Sequence, residues 1–244
     1  MADARDLGSR GETRGGSSPP FRTSTKPMDD RSSRLGWTLT ALVAALLAWS
    51  LWQPRDLLTW SMEVAPIFIG APILFATRKR FPLTTLVACM IAIHAAILIV
   101  GGHYTYAEVP VGFWARDLLG LERNPYDRLG HFAQGFVPAL IAREILLRQT
   151  PLVRGGWLFF LVTCVCLAIS ACYEFVEWWA SLATGEAADA FLGSQGDVWD
   201  TQWDMFTALI GAVLAQILLA RVHDGQLARL WTPNSAAQPK RPVT

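Results

Sequence analysis

Charged residues are scarce in this 244-residue chain, of which they make up 17% against 52% hydrophobic residues. Soluble domains carry about a quarter charged residues, and the apolar residues here fall in long uninterrupted runs, so an ordinary soluble protein is excluded. The formal net charge is only +1 and the cationic residues are dispersed. No basic patch is present to neutralise several phosphates, which excludes nucleic acid as a partner.

Cysteine is also rare, and all four cysteines lie inside apolar runs: Cys89, Cys164, Cys166 and Cys172. Such cysteines normally behave as small hydrophobic residues. Cys164 and Cys166 are two positions apart and would point to different faces of a helix, which does not suit a shared metal. The chain also lacks the HExxH spacing of zinc proteases and the GxSxG setting of serine hydrolases.

What the chain has instead is a series of six apolar runs, each close to the roughly 20 helical residues that cross a bilayer core of about 30 Å. They cover about 35–52, 57–76, 82–100, 131–147, 156–180 and 203–220. The first 34 residues have no apolar periodicity and are too polar to bury a core. We therefore predict an all-α membrane domain of about six transmembrane helices over residues 35–222, between disordered cytoplasmic tails at 1–34 and 223–244.

The distribution of positive charge predicts the orientation of these helices. With six spans, 17 of the 21 lysines and arginines share one side of the membrane with both termini. The positive-inside rule places that side in the cytoplasm. The outer side holds 13 of the 20 acidic residues, so any polar chemistry is expected to face outward.

Four ionisable residues lie inside the predicted helices near their outer ends, and these are the candidate catalytic residues: His131, Glu174, Glu177 and Asp204. Glu174 and Glu177 are three positions apart and share one helix face. All four reach a similar depth beneath the outer surface at 1.5 Å of rise per residue. We predict that they line one shared pocket on the outer side of the bundle.

Four more residues are secondary candidates because they flank this cluster in the sequence: Asp127, Arg128, Asp197 and Asp200. Asp127 and Asp197 also fit the N-cap positions of two helices, and Asp200 fits the N3 position, where the helix dipole stabilises an anion. Arg128 can pair with a buried acid. For the three aspartates, a structural and a functional role are both open.

The excess of acid over base in the predicted pocket requires protons, ion pairs or a bound cation, because isolated charges are too costly in low dielectric. A divalent cation held by His131, Glu174, Glu177 and Asp204 is one solution. Oxygen-rich ligation with one histidine suits Mg²⁺ or Mn²⁺, and Zn²⁺ less well. Protons shared between the acids solve the same problem without a metal.

Three further polar features lie outside these two sets of candidate residues. His94 is predicted to be a core histidine with its hydrogen bonds satisfied, and His103 is a weaker candidate for the outer pocket. Glu144 and Arg148 are four positions apart near the cytoplasmic end of a helix, which predicts an interfacial ion pair and not a second site.

The segments DRLGHF, YEFVEWW and FLGSQGDVWDTQWDM resemble the YjdF-like family of bacterial inner-membrane proteins, a domain of unknown function. The resemblance covers about residues 35–222 and implies a small helical protein of the inner (cytoplasmic) membrane, without a reaction. A fainter likeness is to VanZ-like proteins, whose order of polar residues before a glycine-rich helix is matched by Asp127, Arg128, His131, Glu174, Asp204 and Gly211.

Three functions are open at this stage. The first is an envelope enzyme acting on a lipid or lipid-linked substrate, with a Glu or Asp as general base and His131 as its partner. The second is an ion-coupled transporter, since intramembrane ionisable residues often mark a pathway. The third is a non-catalytic polar clasp that joins helices by hydrogen bonds. The off-centre acids favour the enzyme, because transport sites usually lie near the midplane.

Overall fold

The computed structural model describes residues 30–185 and 193–230, and within these ranges every regular element is helical. The α-helices there are α1 (Asp30–Ser50), α2 (Leu57–Thr77), α3 (Thr85–Tyr104), α4 (Pro110–Leu119), α5 (Tyr126–Gln149), α6 (Gly156–Thr184) and α7 (Asp200–Leu230). A single 3₁₀ turn, Tyr106–Glu108, connects α3 to α4. The prediction of an all-α chain is confirmed.

The two predicted tails fall largely outside the described residues. Where they overlap with those residues, the chain is helical: α1 begins at Asp30 and α7 continues to Leu230. The helices therefore extend past both predicted boundaries of the membrane domain.

Four helices of the described chain are long and apolar enough to cross a membrane: α2, α3, α6 and α7. α1 and α5 have similar lengths, 21 and 24 residues, but are more polar. Large apolar side chains such as Ile69, Phe160 and Ile217 are more than half exposed on the outside of the bundle, whereas charged side chains such as Glu63 and Asp204 are buried within it. This inverted distribution is typical of a helix bundle surrounded by lipid.

α5 and α7 pack closely along the centre of the bundle. A Cβ atom added at Gly135 of α5 would strike the backbone carbonyl of Ala208, and one added at Gly211 of α7 would strike that of Phe132. Small residues allow two helix backbones to approach in this way. Because Gly135 lies one turn after His131, the contact fixes the height of the outer end of α5 against α7.

The remaining spanning helices pack around this pair. α6 contributes Leu158, Val162 and Cys166 to the main core, and α3 contributes Val87. On the far side of α3, a smaller core joins α1 and α2 through Trp60, whose Nε1–H donates to Ser50 Oγ at 3.0 Å.

The connection between α3 and α5 folds back onto the bundle and is tied to the start of α7. The side-chain amide of Asn124 donates to the carbonyls of Ala107 and Val109. Its backbone exchanges two hydrogen bonds of 3.0 Å with the side chain of Gln195, which lies just before α7. These contacts hold the entrance to α5 beside the entrance to α7.

Candidate functional site

The start of α5, the end of α6 and the start of α7 bring together the four residues predicted to line a pocket. His131, Glu174, Glu177 and Asp204 are all buried, each with between 1% and 7% of its surface exposed. The Nδ1 atom of His131 lies 3.8 Å from Glu174 Oε1, and its Nε2 atom lies 3.8 Å from Asp204 Oδ1. One carboxylate oxygen of Glu177 lies within 4.8 Å of ligand atoms of both His131 and Glu174. Helix packing thus assembles one cluster from residues that are up to 73 positions apart.

Arg128 is the partner of three acids on and just before α7. Its NH2 group donates to Asp197 Oδ2 at 3.1 Å and to Asp200 Oδ1 at 2.9 Å. Its NH1 group pairs with the buried carboxylate of Asp204. All four secondary candidates therefore lie in or beside the cluster, and Arg128 joins α5 to α7.

Arg123 performs the same role from the connection that precedes α5, and the sequence interpretation did not include it. Its NH1 group donates to Asp200 Oδ1 at 2.7 Å, and its NH2 group donates to Asp127 Oδ2 at 3.2 Å and to the Gly193 carbonyl at 3.1 Å. We call the six residues joined in this way the Arg–Asp network: Arg123, Arg128, Asp127, Asp197, Asp200 and Asp204. The ion pair of Arg123 with Asp127 could have been predicted from the sequence, because the two residues are four positions apart.

The aspartates do not occupy the helix N-cap and N3 positions that the sequence predicts for them. The N-cap of α5 is Pro125, and Asp127 lies in the first turn of the helix with its carboxylate directed at Arg123 and at His131 Nε2, 3.6 Å away. α7 begins at Asp200 itself, so Asp200 does not occupy the N3 position. Asp197 accepts the Trp199 N–H in the turn before α7. The two guanidinium groups offer these acids stronger partners than helix N–H groups.

Glu174 contrasts with the Arg–Asp network because no guanidinium group pairs with it and its nearest ionisable partner, His131, lies at 3.8 Å. Its side chain is 5% exposed, and neither carboxylate oxygen has a hydrogen-bond partner among the described residues. The Thr201 side chain on α7 interacts with it electrostatically, but without the geometry of a hydrogen bond. His131 Nδ1, its nearest basic group, lies 3.2 Å from Gln134 Oε1. We call His131, Glu174 and Glu177 the Glu–His face.

Glu63 of α2 is a further buried acid at this site, and it is not among the candidate residues predicted from the sequence. It is 2% exposed, and its Oε2 atom accepts the Tyr173 hydroxyl at 3.2 Å. Tyr106, in the 3₁₀ turn, lies close enough to interact with it electrostatically. Burial, reinforced by the neighbouring Glu63, raises the pKa of the Tyr106 hydroxyl well above its usual value, so this tyrosine stays neutral and remains a donor.

Glu63 could have been identified from the sequence because it is an acidic residue within an apolar run. Its distance of more than 60 positions from the other candidates hid the connection. The ring of Tyr173 lies 6.2 Å from that of His131 in an edge-on arrangement, so Tyr173 links Glu63 to the Glu–His face.

The cluster has a marked excess of acid. Seven buried or half-buried carboxylates meet two guanidinium groups and one imidazole: Glu63, Asp127, Glu174, Glu177, Asp197, Asp200 and Asp204 against Arg123, Arg128 and His131. Uncompensated charge of this kind does not persist in a low-dielectric interior. Because both arginines are committed to aspartates, the compensation must come from protons or a cation at the glutamates.

The arrangement has two chemical capacities. A carboxylate beside an imidazole can take up and release a proton during a reaction, as general bases do. The same three side chains of the Glu–His face can hold a metal ion, and a second triad of Asp127, His131 and Asp204 shares the same imidazole.

His103 and His94 do not join this cluster. His103 Nδ1 lies 3.0 Å from the Ser50 carbonyl, and its ring packs on Trp49, so it connects α3 to α1. The Nε2 atom of His94 is buried without a hydrogen-bond partner among the described residues, so the prediction that its hydrogen bonds are satisfied is wrong.

The predicted pair of Glu144 and Arg148 is present, with 2.7 Å between Oε1 and NH1. It is buried and not interfacial, because both side chains are at most 1% exposed. His223 Nε2 lies 3.0 Å from Glu144 Oε2, and the hydroxyl of Thr84 donates to the same oxygen at 2.8 Å. These residues form a second polar cluster at the opposite end of the bundle.

Comparisons with known proteins place the chain in a family. A family model described as a predicted membrane protein, DUF2238, matches residues 35–225. The inner membrane protein YjdF of Escherichia coli (strain K12) is 54% identical over 204 residues, which cover 84% of this chain and 95% of that protein. No solved structure matches.

These matches confirm the YjdF-like resemblance and give no support to the VanZ-like one. The name of the relative and the set of long apolar helices agree on location, so the chain is a multi-pass protein of the bacterial inner membrane. Because the family model spans well over half of its length, the chain belongs to the DUF2238 family of membrane proteins.

Proposed function

We propose that this protein is an envelope enzyme that acts on a lipid or lipid-linked substrate at the outer leaflet of the inner membrane. The observation that carries the proposal is the buried carboxylate of Glu174, which has no hydrogen-bond partner among the described residues and lies 3.8 Å from His131. A polar clasp would have its acids paired, as those of the Arg–Asp network are. An unpaired acid beside an imidazole instead suits proton transfer to or from a bound molecule.

The proposed roles follow from the contacts. Glu174, with Glu177 beside it, acts as the general base or acid, and His131 is its partner. Asp127 and Asp204 both lie within 4 Å of His131 Nε2 and position the imidazole. Arg123 and Arg128 hold these two aspartates, so the network serves as the rigid support of the Glu–His face.

The proposed topology has six transmembrane helices, with α1 and α5 crossing the membrane beside the four more apolar helices, and with both termini in the cytoplasm. The charge distribution supports it, since 17 of the 21 lysines and arginines then lie inside. α5 is polar because its charged side chains pair within the bundle and not because it lies outside the membrane.

The depth of the site supports a substrate in the outer leaflet. His131 and Asp204 lie five and four residues inside their helices, a rise of about 6–8 Å, which corresponds to the headgroup region. Exposed tryptophans surround this level, as in an interfacial aromatic belt: Trp114, Trp178, Trp179, Trp199 and Trp203. An ion-coupled transporter is the alternative, but the buried layer beneath the site is formed largely by apolar side chains such as Leu140, Val162 and Ala212, which argues against a polar path across the bundle.

The experiment compares total lipid extracts of a strain that lacks the gene with those of strains complemented by the wild type, by Glu174→Gln or by Asp117→Asn. Asp117 is the matched control, because it is an outer-side acid that is 66% exposed and paired only with its neighbour Arg116. We expect mass spectrometry to show an envelope lipid that accumulates in the deletion strain and in Glu174→Gln, and that returns to normal with the wild type and Asp117→Asn. Normal lipids in the Glu174→Gln strain, at equal protein level, would overturn the proposal.

A further inference from the structure

Two sets of three side chains in the outer cluster are close enough to hold a metal ion, and both include His131. One set is His131 with Glu174 and Glu177, and the other is His131 with Asp127 and Asp204. All five residues are buried, and within each set the ligand atoms lie within 4.8 Å of one another. The imidazole has one nitrogen directed at each set, so the choice between the sets depends on the carboxylates.

The aspartate set is already occupied by guanidinium groups. Asp127 pairs with Arg123 at 3.2 Å, and Asp204 pairs with Arg128. A cation placed between these aspartates would be repelled by two arginines and would have to displace their ion pairs, leaving the arginines half-buried without partners. This set is therefore unsuited to a metal.

The glutamate set has the opposite character. Glu174 is buried with both oxygens unpartnered among the described residues, and no arginine contacts it in that part of the chain. This is an observation separate from the clustering of acids, because it identifies one buried carboxylate whose oxygens have no hydrogen-bond partner among the described residues. A cation with ligand bonds of about 2.1 Å can bridge two atoms roughly 4 Å apart, and the distance from His131 Nδ1 to Glu174 Oε1 is 3.8 Å.

The surroundings of His131 favour the same side. Its Nε2 atom faces Asp127 Oδ1 at 3.6 Å and Asp204 Oδ1 at 3.8 Å. A proton on Nε2 would be held by these carboxylates. A metal ion would displace the proton that Nδ1 donates to Gln134 Oε1 and would use the freed lone pair beside Glu174. Metal-binding histidines typically have this arrangement, in which a carboxylate orients the ring from the nitrogen opposite the metal. Gln134 Oε1, at 3.2 Å from Nδ1, is then a further oxygen ligand within reach.

We propose that the Glu–His face binds one divalent cation through His131 Nδ1, Glu174 and Glu177. With Asp204 outside the ligand set, the imidazole is one of three protein ligands, so Mn²⁺ or Zn²⁺ is preferred over Mg²⁺ and the preference predicted from the sequence changes. Imidazole nitrogen is a favourable ligand for transition metals, whereas Mg²⁺ prefers an all-oxygen octahedron. This inference deepens the proposed function and rests on it only for the chemistry that the ion would serve, which is to activate a water molecule or to polarise a substrate oxygen.

The test is metal analysis of the full-length protein purified in detergent. The protein is stripped with a chelator, reloaded with Mn²⁺ or Zn²⁺ in the presence of excess Mg²⁺, and passed through gel filtration before the bound metal is measured by mass spectrometry. We expect about one ion per chain in the wild type and in Asp117→Asn. Glu174→Gln should lose the ion, and Asp127→Asn should keep the site with an affinity reduced by about 10- to 100-fold, as is usual for an orienting carboxylate.

Gel filtration and thermal unfolding of each metal-free variant show whether it is folded. A folded Glu174→Gln protein that binds metal as the wild type does would overturn the inference, and so would a wild type that binds no ion at saturating Mn²⁺ and Zn²⁺. The result of the metal analysis can be distinguished from that of the lipid analysis, which tests the proposed function. Lipid changes without metal binding would overturn only the cation, whereas metal binding without lipid changes would overturn only the enzyme.

Discussion

Gly135→Ala should loosen the packing of α5 against α7, which places His131 beside Asp204. The added Cβ would meet the carbonyl oxygen, the carbonyl carbon and the Cα of Ala208, the last at 2.8 Å. All three are backbone atoms of a fully buried residue. No side chain can rotate away to make room, so one helix must move as a whole.

The expected magnitude follows from two opposing effects. Forcing an extra methyl group into a packed interior costs about 1–3 kcal/mol, and the rigid backbone neighbours place this site at the upper end of that range. Alanine is the better helix former by about 1 kcal/mol, which offsets part of the cost. The free energy of unfolding should therefore fall by about 2 kcal/mol, and Tm by about 4–8 °C for a chain of this size.

The assay is thermal unfolding in detergent, followed by tryptophan fluorescence. Gly70→Ala in α2 is the matched control, because its added Cβ meets no atom within 4 Å, and its Tm should stay the same or rise. If Gly135→Ala proves as stable as Gly70→Ala, the close approach of α5 and α7 is not present in the protein.

Three further predictions concern other parts of the bundle. Trp60→Phe removes the donor to Ser50 Oγ in the buried contact of α2 with α1, and should lower the free energy of unfolding by about 1 kcal/mol in the same assay. Ending the chain before His223 leaves the fully buried Glu144 without one of its partners, and should cost about 3–5 kcal/mol relative to a chain that ends at residue 230. A periplasmic phosphatase reporter inserted after Gly120 should be active, and a fluorescent protein fused after residue 230 should fluoresce in the cytoplasm; the reverse pattern would contradict the proposed topology.

The apolar runs predicted the positions of most helices because burial in lipid requires a long hydrophobic surface. The third run, at about 82–100, corresponds to α3, which spans Thr85–Tyr104. The runs failed where charges are paired inside the bundle. The apolar run at about 131–147 predicts a later start for α5, but the helix begins at Tyr126 because Asp127 and Arg128 find partners within the protein. The apolar runs did not predict α4, because its ten residues are too few to span a membrane.

Helical spacing predicted which residues share a face, and it placed the four site residues at one level. It could not predict the residues that reach the site from elsewhere, since Glu63 and Arg123 join it through contacts between distant segments. The same limit applies to the second polar cluster. His223 was assigned to a disordered tail, but it is fully buried and lies 3.0 Å from Glu144, 79 positions earlier in the chain.

The division of the outer cluster into a paired Arg–Asp network and an unpaired Glu–His face is tested most directly by unfolding Asp204→Asn and Glu174→Gln side by side as metal-free proteins. Asp204→Asn weakens the buried pair with Arg128 and should lower the free energy of unfolding by about 3 kcal/mol. Glu174→Gln neutralises a buried carboxylate that has no hydrogen-bond partner among the described residues and only His131 near it, at 3.8 Å, so its stability should equal or exceed that of the wild type. A loss of stability in Glu174→Gln as large as that in Asp204→Asn would show that Glu174 has a structural role and would contradict the division.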